Sequence, residues 1–253
     1  MKKRVLIKIG SNTLTKETNQ ISSGKIEDIG RQIALLKEEY EFILVSSGAI
    51  ATAKQFVKLE HNGQEIDVKQ ALAAIGQPRL MHIFQESFRE LGLFTSQCLF
   101  SYSDLENEKA RVNIENTINV LLANDVIPII NENDTVATDE IKFGDNDKLA
   151  ALTAAFLKAD LLLIATNTDG IYTKESLDGK LPETIQEVAS ITDLGKEVSS
   201  VKSSHGTGGM QSKIEAASIA QKAGIETWIV NGLKDNFIMD SFQDKIHFTK
   251  IKV

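Results

Sequence analysis

Short apolar runs alternate along the chain with stretches whose apolar residues have helical spacing. Residues 4–9 alternate in part between apolar and polar positions, which predicts a first strand. A helix is predicted next, because its apolar positions are three and four residues apart: Ile26, Ile29, Ile33, Leu36 and Tyr40. Residues 42–45 predict a second strand, and later apolar runs predict further strands at residues 94–100, 127–130, 161–165 and 227–230.

The order of these elements predicts the fold class. Strands and helices alternate, and Ile114, Ile118 and Leu121 mark one of the helices between strands. Parallel strands need crossover connections, and strands buried on both faces are continuous apolar runs. We therefore predict an α/β fold in which a mainly parallel central sheet has helices on both faces, as a three-layer sandwich. Residues 245–253 predict a closing strand, and because no linker rich in Pro or Gly interrupts the sequence, we expect residues 1–253 to form a single domain.

Composition and charge narrow the class of protein. The chain has 253 residues, 42% of them apolar, and a net charge of −7, which excludes a disordered protein and disfavours non-specific binding to DNA or to anionic membranes. No apolar stretch approaches the roughly 20 residues of a membrane-spanning helix, and the basic start is followed by too short an apolar run for a secretory signal. The single cysteine cannot form an intramolecular disulfide. We expect a soluble, cytoplasmic protein with no nucleic-acid or membrane partner.

Polar loops follow several of the predicted strands. In an open α/β sheet, ligands bind at the carboxyl ends of the strands. Lys8 lies inside the first apolar strand, just before Gly10 and Ser11; as an alternative, its side chain could extend past the strand end into water. The loops after three other strands are rich in Ser, Asn, Asp or Gly: residues 46–49, 131–134 and 166–170.

A run of Gly, Asp and Asn at residues 144–147 opens a predicted helix that contains Leu149, Leu152 and Phe156. Asp and Asn are common helix caps, so capping is the structural alternative to a binding role. Capping explains one such residue and not three in succession. We therefore include Asn146 and Asp147 among the candidate site residues.

A second helix start, at residues 206–210, is rich in glycine and precedes a predicted helix with Ile214, Ala217 and Ala220 on one side. Such an entry presents unpaired N–H groups at the positive end of a helix, where anions bind. Lys213 falls in the first turn, where its charge opposes the helix dipole, so a bound anion would relieve the conflict. The alternative is a flexible surface loop with an exposed lysine.

Several common sites are absent from the sequence. Neither GxxxxGK[ST] nor GxGxxG is present, which disfavours P-loop and dinucleotide-binding proteins. The four histidines have no metal-ligand spacing, so we expect no metal-ligating residues. Cys98 lies in an apolar strand and is interpreted as a small core residue, and Ser46 and Ser47 lack the GxSxG pattern of serine hydrolases.

Two lysines beside two glycine loops predict a phosphate-binding arrangement. Phosphoryl transfer depends mainly on charge neutralisation and positioning, which lysines and a nucleotide-bound Mg²⁺ supply. A carboxylate acceptor, with a pKa near about 4, is ionised at neutral pH and needs no general base. The residues alone therefore favour a kinase that converts a small acid to an acyl phosphate.

Six segments together resemble the glutamate 5-kinases of the amino acid kinase superfamily, over essentially the whole chain. They are residues 5–10 with Lys8, VSSGAI at 45–50, GQPRL at 76–80, NEND at 131–134, GDND at 144–147, and GTGGM at 206–210 continuing to Lys213. The resemblance implies ATP-dependent phosphorylation of the side-chain carboxylate of L-glutamate, with ATP and Mg²⁺ as cofactors, as the first step of proline biosynthesis.

The resemblance also implies roles for individual residues. Lys8 and Lys213 would flank the transferred phosphoryl group, and Asp147 would hold the two lysines in place. The implied ATP-binding residues are Lys8, Gly10, Ser11, Thr166, Asn167, Thr207, Gly208, Gly209, Met210 and Lys213. The implied L-glutamate-binding residues are Ser47, Gly48, Asp134 and Asn146.

The sequence departs from the family pattern in two places. Asn167 stands where many members have an aspartate, and no C-terminal PUA domain follows, so RNA binding is not expected. The resemblance further implies a homo-oligomer, a dimer or tetramer, with proline as feedback inhibitor and glutamyl-5-phosphate reductase as a partner. The alternatives are a related kinase acting on N-acetylglutamate, aspartate, carbamate or a nucleoside monophosphate, and a non-catalytic nucleotide or amino acid sensor.

Overall fold

A central sheet of eight strands organises the computed structural model, which describes residues 2–15, 20–60, 65–137, 146–173, 183–192, 194 and 209–253. The described strands lie in the order β3-β4-β2-β1-β5-β7-β8-β6. Their bounds are β1 Lys3–Ile9, β2 Tyr40–Ser46, β3 Phe94–Phe100, β4 Val126–Glu132, β5 Leu161–Thr166, β6 Glu187–Val188, β7 Glu226–Asn231 and β8 Thr249–Ile251.

Parallel pairing dominates this sheet. Lys8 of β1 lies opposite Val45 of β2 on one side and Ile164 of β5 on the other, so β1 is central. Among the described strand pairs, the pairing of β7 with β8 is the antiparallel one. The predicted mainly parallel sheet and the closing strand near the end of the sequence are both confirmed.

Helices cover both faces of the sheet. Their bounds are α1 Ser11–Thr15, α2 Ser23–Leu36, α3 Ala49–Ala53, α4 Glu65–Arg89, α5 Tyr102–Glu106, α6 Glu108–Ala123, α7 Asp147–Phe156, α8 Met210–Lys222 and α9 Phe237–Phe242. One core contains Val5, Ile7 and Ile9 together with apolar residues of α2, α4 and α9. The opposite core contains Leu6 with apolar residues of α6, α7 and α8.

The alternation of side chains along β1 decides which helices Lys8 faces. Successive side chains of a strand point to opposite faces, so Lys8 shares the face of Leu6 and not that of Ile7 and Ile9. That face is covered by α7 and α8. The first strand therefore directs its lysine toward the starts of these two helices.

One residue of the predicted helix face is assigned wrongly. Helix α2 ends at Leu36, and Tyr40 begins β2, where its ring packs 4.8 Å from that of Phe242. The spacing of three and four residues continued by coincidence across a turn, in which the Glu39 N–H donates to the Leu36 carbonyl. Within the described residues, none of the helices is both long enough and apolar enough to cross a membrane.

Candidate active site

Lys8, Asp147 and Lys213 form one buried cluster, here called the ionic cluster. Lys8 Nζ lies 2.6 Å from Asp147 Oδ1, and Lys213 Nζ lies 2.9 Å from Asp147 Oδ2. The exposed fractions of the three residues are 2%, 0% and 7%. Two ammonium groups thus share one carboxylate, one on each oxygen.

Electrostatics keep Asp147 ionised. Burial disfavours its charged form, but the ammonium groups of Lys8 and Lys213 outweigh that penalty and hold the pKa of Asp147 below its usual value. The cluster then carries two positive charges and one negative charge, a net charge of +1. This net positive charge at the carboxyl edge of the sheet is suited to bind an anion.

Three separate elements bring these side chains together. Lys8 comes from the end of β1, Asp147 is the first residue of α7, and Lys213 lies in the first turn of α8. The sequence predicted an anion to relieve the conflict between Lys213 and the helix dipole. In the structure the carboxylate of Asp147 is a first such anion.

Ser212 also belongs to this region, and sequence reasoning missed it. Its hydroxyl donates to Asp147 Oδ2 at 2.9 Å and lies at the same distance from the Gly209 carbonyl oxygen. A serine in the first turn of a helix is common, so its type and position carry no specific signal. Its proximity to Asp147 emerges only when α7 and α8 pack together.

A second group of residues, here called the acceptor cluster, lies at the ends of β2 and β4 and at the start of α7. Its members are Ser47, Gly48, Asp134 and Asn146, the residues that the resemblance assigned to glutamate. Gly48 has a φ of 107°, a conformation that favours glycine, and it precedes α3. Asn146 is fully buried, and its Nδ2 donates to the Ser46 carbonyl at 2.9 Å and to Asn131 Oδ1 at 2.7 Å.

Two buried oxygens of the acceptor cluster are unsatisfied. Ser47 Oγ and Asp134 Oδ1 have no hydrogen-bond partner among the described residues, although Ser47 and Asp134 are only 4% and 7% exposed. A buried polar atom without a partner costs free energy, so such atoms mark strain or a place for a ligand. Ser47 follows β2 and Asp134 lies two residues after β4, and these two strands are paired in the sheet. Both residues are therefore at carboxyl ends of strands, where ligands of this fold class bind.

The carboxyl group of Asp134 is strongly perturbed. Burial, followed by the nearby carboxylate of Glu132, raises the pKa of Asp134 to about 7. A cationic ligand at this position would favour the ionised form and lower the pKa again. The group is therefore suited to receive an ammonium.

The residues assigned to ATP lie on the other side of β1. Gly10 and Ser11 directly follow β1, and Thr166 ends β5, which is the neighbour of β1. Gly209 precedes α8 and Met210 begins it. Thr207 and Gly208 lie outside the described residues, as do Gly144 and Asp145.

The loop after β5 differs from the family pattern at Asn167, which is exposed. The nearest aspartate, Asp169, is held by other groups: Asn231 Nδ2 donates to its Oδ1 at 2.8 Å, and Lys234 Nζ lies 2.6 Å from the same oxygen. These contacts lower the pKa of Asp169 against the opposing effect of burial. Asp169 therefore holds the loop after β7.

Two further residue types can be placed. Cys98 is partly buried against the core that contains Leu6, and burial raises the pKa of its thiol, which agrees with a core role. In the part of the chain that the structure describes, no three His, Cys, Asp or Glu side chains form a group that could hold a metal ion.

Comparison with known proteins identifies relatives across most of the chain. The amino acid kinase family model matches residues 3–231. A glutamate 5-kinase of Caldanaerobacter subterraneus subsp. tengcongensis is 42% identical over 239 residues, covering 93% of this chain and 64% of that protein. One of Vibrio campbellii is 40% identical over 248 residues, covering 97% of this chain and 65% of that protein. The chain thus spans slightly less than two thirds of the length of these two relatives.

A glutamate 5-kinase of Clostridium acetobutylicum is 42% identical over 239 residues, covering 93% of this chain and 89% of that protein. Among solved structures, UMP kinase from Ureaplasma parvum matches over 100% of both chains, with a TM-score of 0.65 and 17% identity. The structural match confirms the predicted α/β three-layer fold. Together with the family match, these relatives show that the chain belongs to the amino acid kinase family, among its glutamate 5-kinases.

Proposed function

We propose that this protein transfers the γ-phosphoryl group of ATP to the side-chain carboxylate of L-glutamate, giving L-glutamyl 5-phosphate and ADP. The observation that carries this proposal is the ionic cluster: its two lysines are among the residues assigned to ATP, and its Asp147 directly follows Asn146 of the acceptor cluster. The names of the relatives support the choice of glutamate. In the cell this reaction would begin proline biosynthesis.

The transfer is a direct displacement. A side-chain oxygen of glutamate attacks the γ-phosphorus, the bond from that phosphorus to the β,γ-bridging oxygen breaks, and ADP leaves with the electron pair. The acceptor is already ionised, so no proton has to be removed. This agrees with an ionic cluster that contains two cations and an ionised aspartate but no neutral base.

Lys8 and Lys213 stabilise the charge that shifts within the phosphoryl group. Their ammonium groups approach from different elements, so they can contact the transferring group and the leaving phosphate from two sides. Without Asp147 the two cations would repel each other in a buried site. Asp147 therefore fixes their separation, and the net charge of +1 remains available for phosphate.

The acceptor cluster fits a free amino acid. The unsatisfied Asp134 Oδ1 offers an acceptor for the α-ammonium, and the unsatisfied Ser47 Oγ offers a donor for a carboxylate. An N-acetylated substrate has no cationic nitrogen and would leave Asp134 without a charged partner. The cluster therefore favours glutamate over N-acetylglutamate.

We propose Mg²⁺ as the cation that accompanies ATP. In such a complex the ion would be held largely by phosphate oxygens and water. When bound, Mg²⁺ would neutralise part of the triphosphate charge.

The test is an acyl phosphate trapping assay. The protein is incubated with Mg-ATP and hydroxylamine, and hydroxamate and ADP are measured with L-glutamate, aspartate and N-acetylglutamate in parallel. We expect hydroxamate with L-glutamate alone. Lys213→Met is the matched control, because it removes one ammonium and keeps a long side chain, and it should give no hydroxamate above background.

Other outcomes have distinct meanings. Activity with aspartate or N-acetylglutamate but not with glutamate would overturn the proposal that glutamate is the acceptor. It would leave the proposal of phosphoryl transfer intact. If no acid supports ADP release but the protein still binds nucleotide, a sensor would be favoured.

We also propose that the protein forms a dimer or tetramer, that proline inhibits it at the acceptor cluster, and that a glutamyl-5-phosphate reductase binds it. Light scattering measures the oligomeric state, and competition of proline with glutamate measures the inhibition.

The proposed binding of a reductase follows from the lability of the acyl phosphate, since a bound reductase would shorten the time that this intermediate spends in water. No co-purification and no protection of the intermediate when both enzymes are mixed would contradict docking.

A further inference from the structure

A network of buried amides leads away from the acceptor cluster and ends on helix α4. Asn146 Nδ2 donates to Asn131 Oδ1 at 2.7 Å, and Asn131 Nδ2 donates to Gln77 Oε1 at 2.9 Å. Gln77 Nε2 then donates to Gln97 Oε1 at 3.0 Å. Gln77 is 8% exposed, and the two asparagines are 1% exposed or less. The GQPRL segment that contains Gln77 has no role in the transfer proposed above.

Two backbone groups fix the direction of this network. Asn146 Nδ2 also donates to the Ser46 carbonyl, which can only accept, so the amide nitrogen must face that side. Asn131 Oδ1 also accepts from the Glu132 N–H, which can only donate, so that oxygen is fixed as well. Asn131 Nδ2 must then find an acceptor, and Gln77 Oε1 supplies it.

The direction of the network sets the chemistry of Asn146. Because both hydrogens of its amide are used by Ser46 and Asn131, the side chain can offer a ligand only its oxygen. If Gln77 Oε1 were removed, a buried N–H of Asn131 would have no acceptor, and the Asn131 amide would be held through its Oδ1 alone. The Asn131 side chain could then shift, and with it one of the two groups that accept from Asn146 Nδ2.

The same helix contacts the rest of the acceptor cluster. Gln70, seven residues before Gln77 and so on the same face of α4, donates to the Asp134 carbonyl at 2.8 Å. A Cβ on Gly76 would lie 1.8 Å from the Ala49 carbonyl oxygen, so α4 touches the backbone of α3 directly. Helix α3 follows Ser47 and Gly48. Helix α4 thus contacts the loop after β4 through Gln70, Asn131 of β4 through Gln77, and the helix after Ser47 and Gly48 through Gly76.

We infer that Gln77 is a positioning residue for the acceptor: through Asn131 it orients Asn146, and so it sets affinity for the amino acid without acting on ATP. This inference rests on the function proposed above. Lys8 and Lys213 come from β1 and α8 and are held by the carboxylate of Asp147, so the nucleotide side has a support of its own.

The experiment compares Gln77→Met with the wild type. Methionine has a similar volume and no hydrogen-bonding amide, so it removes the acceptor with little change in packing. Leaving a buried N–H of Asn131 unsatisfied should raise KM for glutamate about tenfold. We expect KM for ATP to stay within about twofold, because the hydrogen bonds described above end at Asn146, whereas Lys8 and Lys213 are held by Asp147.

Gln32→Met is the matched control. Gln32 is also a buried helix glutamine, but its Oε1 accepts from the Ile238 and Met239 N–H groups, away from the site. It should lower the melting temperature and leave KM for glutamate unchanged. A purely structural role of Gln77 would give the same pattern in Gln77→Met, and that result would overturn the inference.

A double-mutant cycle tests the route through Asn146. If Gln77 acts through Asn146, then Gln77→Met should add no further increase in KM to that of Asn146→Ala. Effects that multiply would overturn the inference. Should Gln77→Met fail to fold, Gln97→Met replaces it, because Gln97 is exposed and its loss removes only the last acceptor.

A crystal structure of Gln77→Met separates this inference from the proposed function. If the wild type makes no glutamyl hydroxamate, the proposed function fails. A displaced Asn131 or Asn146 side chain in the variant would still support the positioning role, and unchanged positions of both would overturn it.

Discussion

The ionic cluster and the acceptor cluster are both buried at the same edge of the sheet, yet they satisfy their polar groups in opposite ways. In the ionic cluster, each oxygen of Asp147 has an ammonium within 3 Å. In the acceptor cluster, Ser47 Oγ and Asp134 Oδ1 have no partner among the described residues. The ionic cluster is satisfied by groups of the protein itself, and we propose that a ligand satisfies the acceptor cluster.

This difference separates stability from affinity. Removing one partner of a buried ion pair leaves an uncompensated charge and costs several kcal/mol. Removing an unsatisfied polar atom costs no internal hydrogen bond, and the folded protein can even gain stability. Substitutions in the two clusters should therefore affect folding and function in different combinations, and four experiments test this.

The largest effect is expected for Asp147→Asn. The substitution keeps the shape but leaves two buried ammonium groups beside a neutral amide, so kcat should fall by about 100-fold and stability by about 3 kcal/mol. Steady-state kinetics and urea unfolding measure the two quantities. Asp125→Asn, which removes an exposed partner of Lys2, is the control and should change neither. A folded Asp147→Asn variant with near wild-type turnover would contradict the role of the ionic cluster.

The next effect is a pH dependence that Asp134 confers. Since the pKa of Asp134 is about 7, the carboxylate that receives the ammonium is lost below that pH, and KM for glutamate should rise nearly tenfold per unit. Stability has the opposite trend. A carboxyl group whose pKa is raised on folding binds more protons in the folded state, so ligand-free protein should lose stability as pH rises from about 4 to 7.

Asp134→Asn is the matched variant for both trends. It should flatten the pH profile of KM and remove the contribution of this group to the pH dependence of the melting temperature. An unchanged KM profile in Asp134→Asn would assign the titration to another group.

Ser47→Ala should give a smaller change and the clearest separation of stability from affinity. The unsatisfied hydroxyl contributes no hydrogen bond within the described protein, so its loss should keep or slightly raise the melting temperature. KM for glutamate should increase about fivefold, as expected for the loss of one ordinary hydrogen bond of about 1 kcal/mol. A melting temperature several degrees lower would show that this hydroxyl stabilises the fold.

The smallest effect is expected for Asn167→Asp, which restores the aspartate that many family members have. Asn167 is exposed, and solvent screens a charge placed there. We therefore expect KM for ATP to change by less than about threefold, with KM for glutamate unchanged. A tenfold change in KM for ATP would identify residue 167 as a direct nucleotide contact.

Hydrophobic periodicity was sufficient for most of the fold. The strand at residues 161–165 was predicted because buried parallel strands are continuous apolar runs, and it is observed as Leu161–Thr166. The strand at residues 94–100 is observed with the predicted bounds, although Phe100 is its only buried residue. The assignment of Tyr40 to a helix was wrong because the spacing of apolar residues contains no information about the turn that follows Leu36. The sequence analysis did not delimit α4, whose apolar face is interrupted by Gly76, Gln77 and Pro78.

The candidate site was predictable where residue type is unusual for its position. A lysine within an apolar strand and a lysine in the first turn of a helix both stand out, which is how Lys8 and Lys213 were found. Ser212 and Gln77 were missed because serine and glutamine are ordinary residues in helices. Their importance comes from neighbours distant in sequence, Asp147 and Asn131.

The sequence by itself determined the α/β class, the central apolar strands and the two unusual lysines, because these depend on local spacing and on the cost of burying charge. Only the tertiary structure decided that Asp147 lies between the lysines. Asp147 is 139 positions after Lys8 and 66 positions before Lys213, and the strand order and the face of the sheet on which Lys8 lies bring the three residues into contact. The same packing decided that the acceptor cluster keeps unsatisfied oxygens while α4 orients its amides. Hydrogen-bond satisfaction is a property of neighbours in space, and for that reason the linear pattern could not contain it.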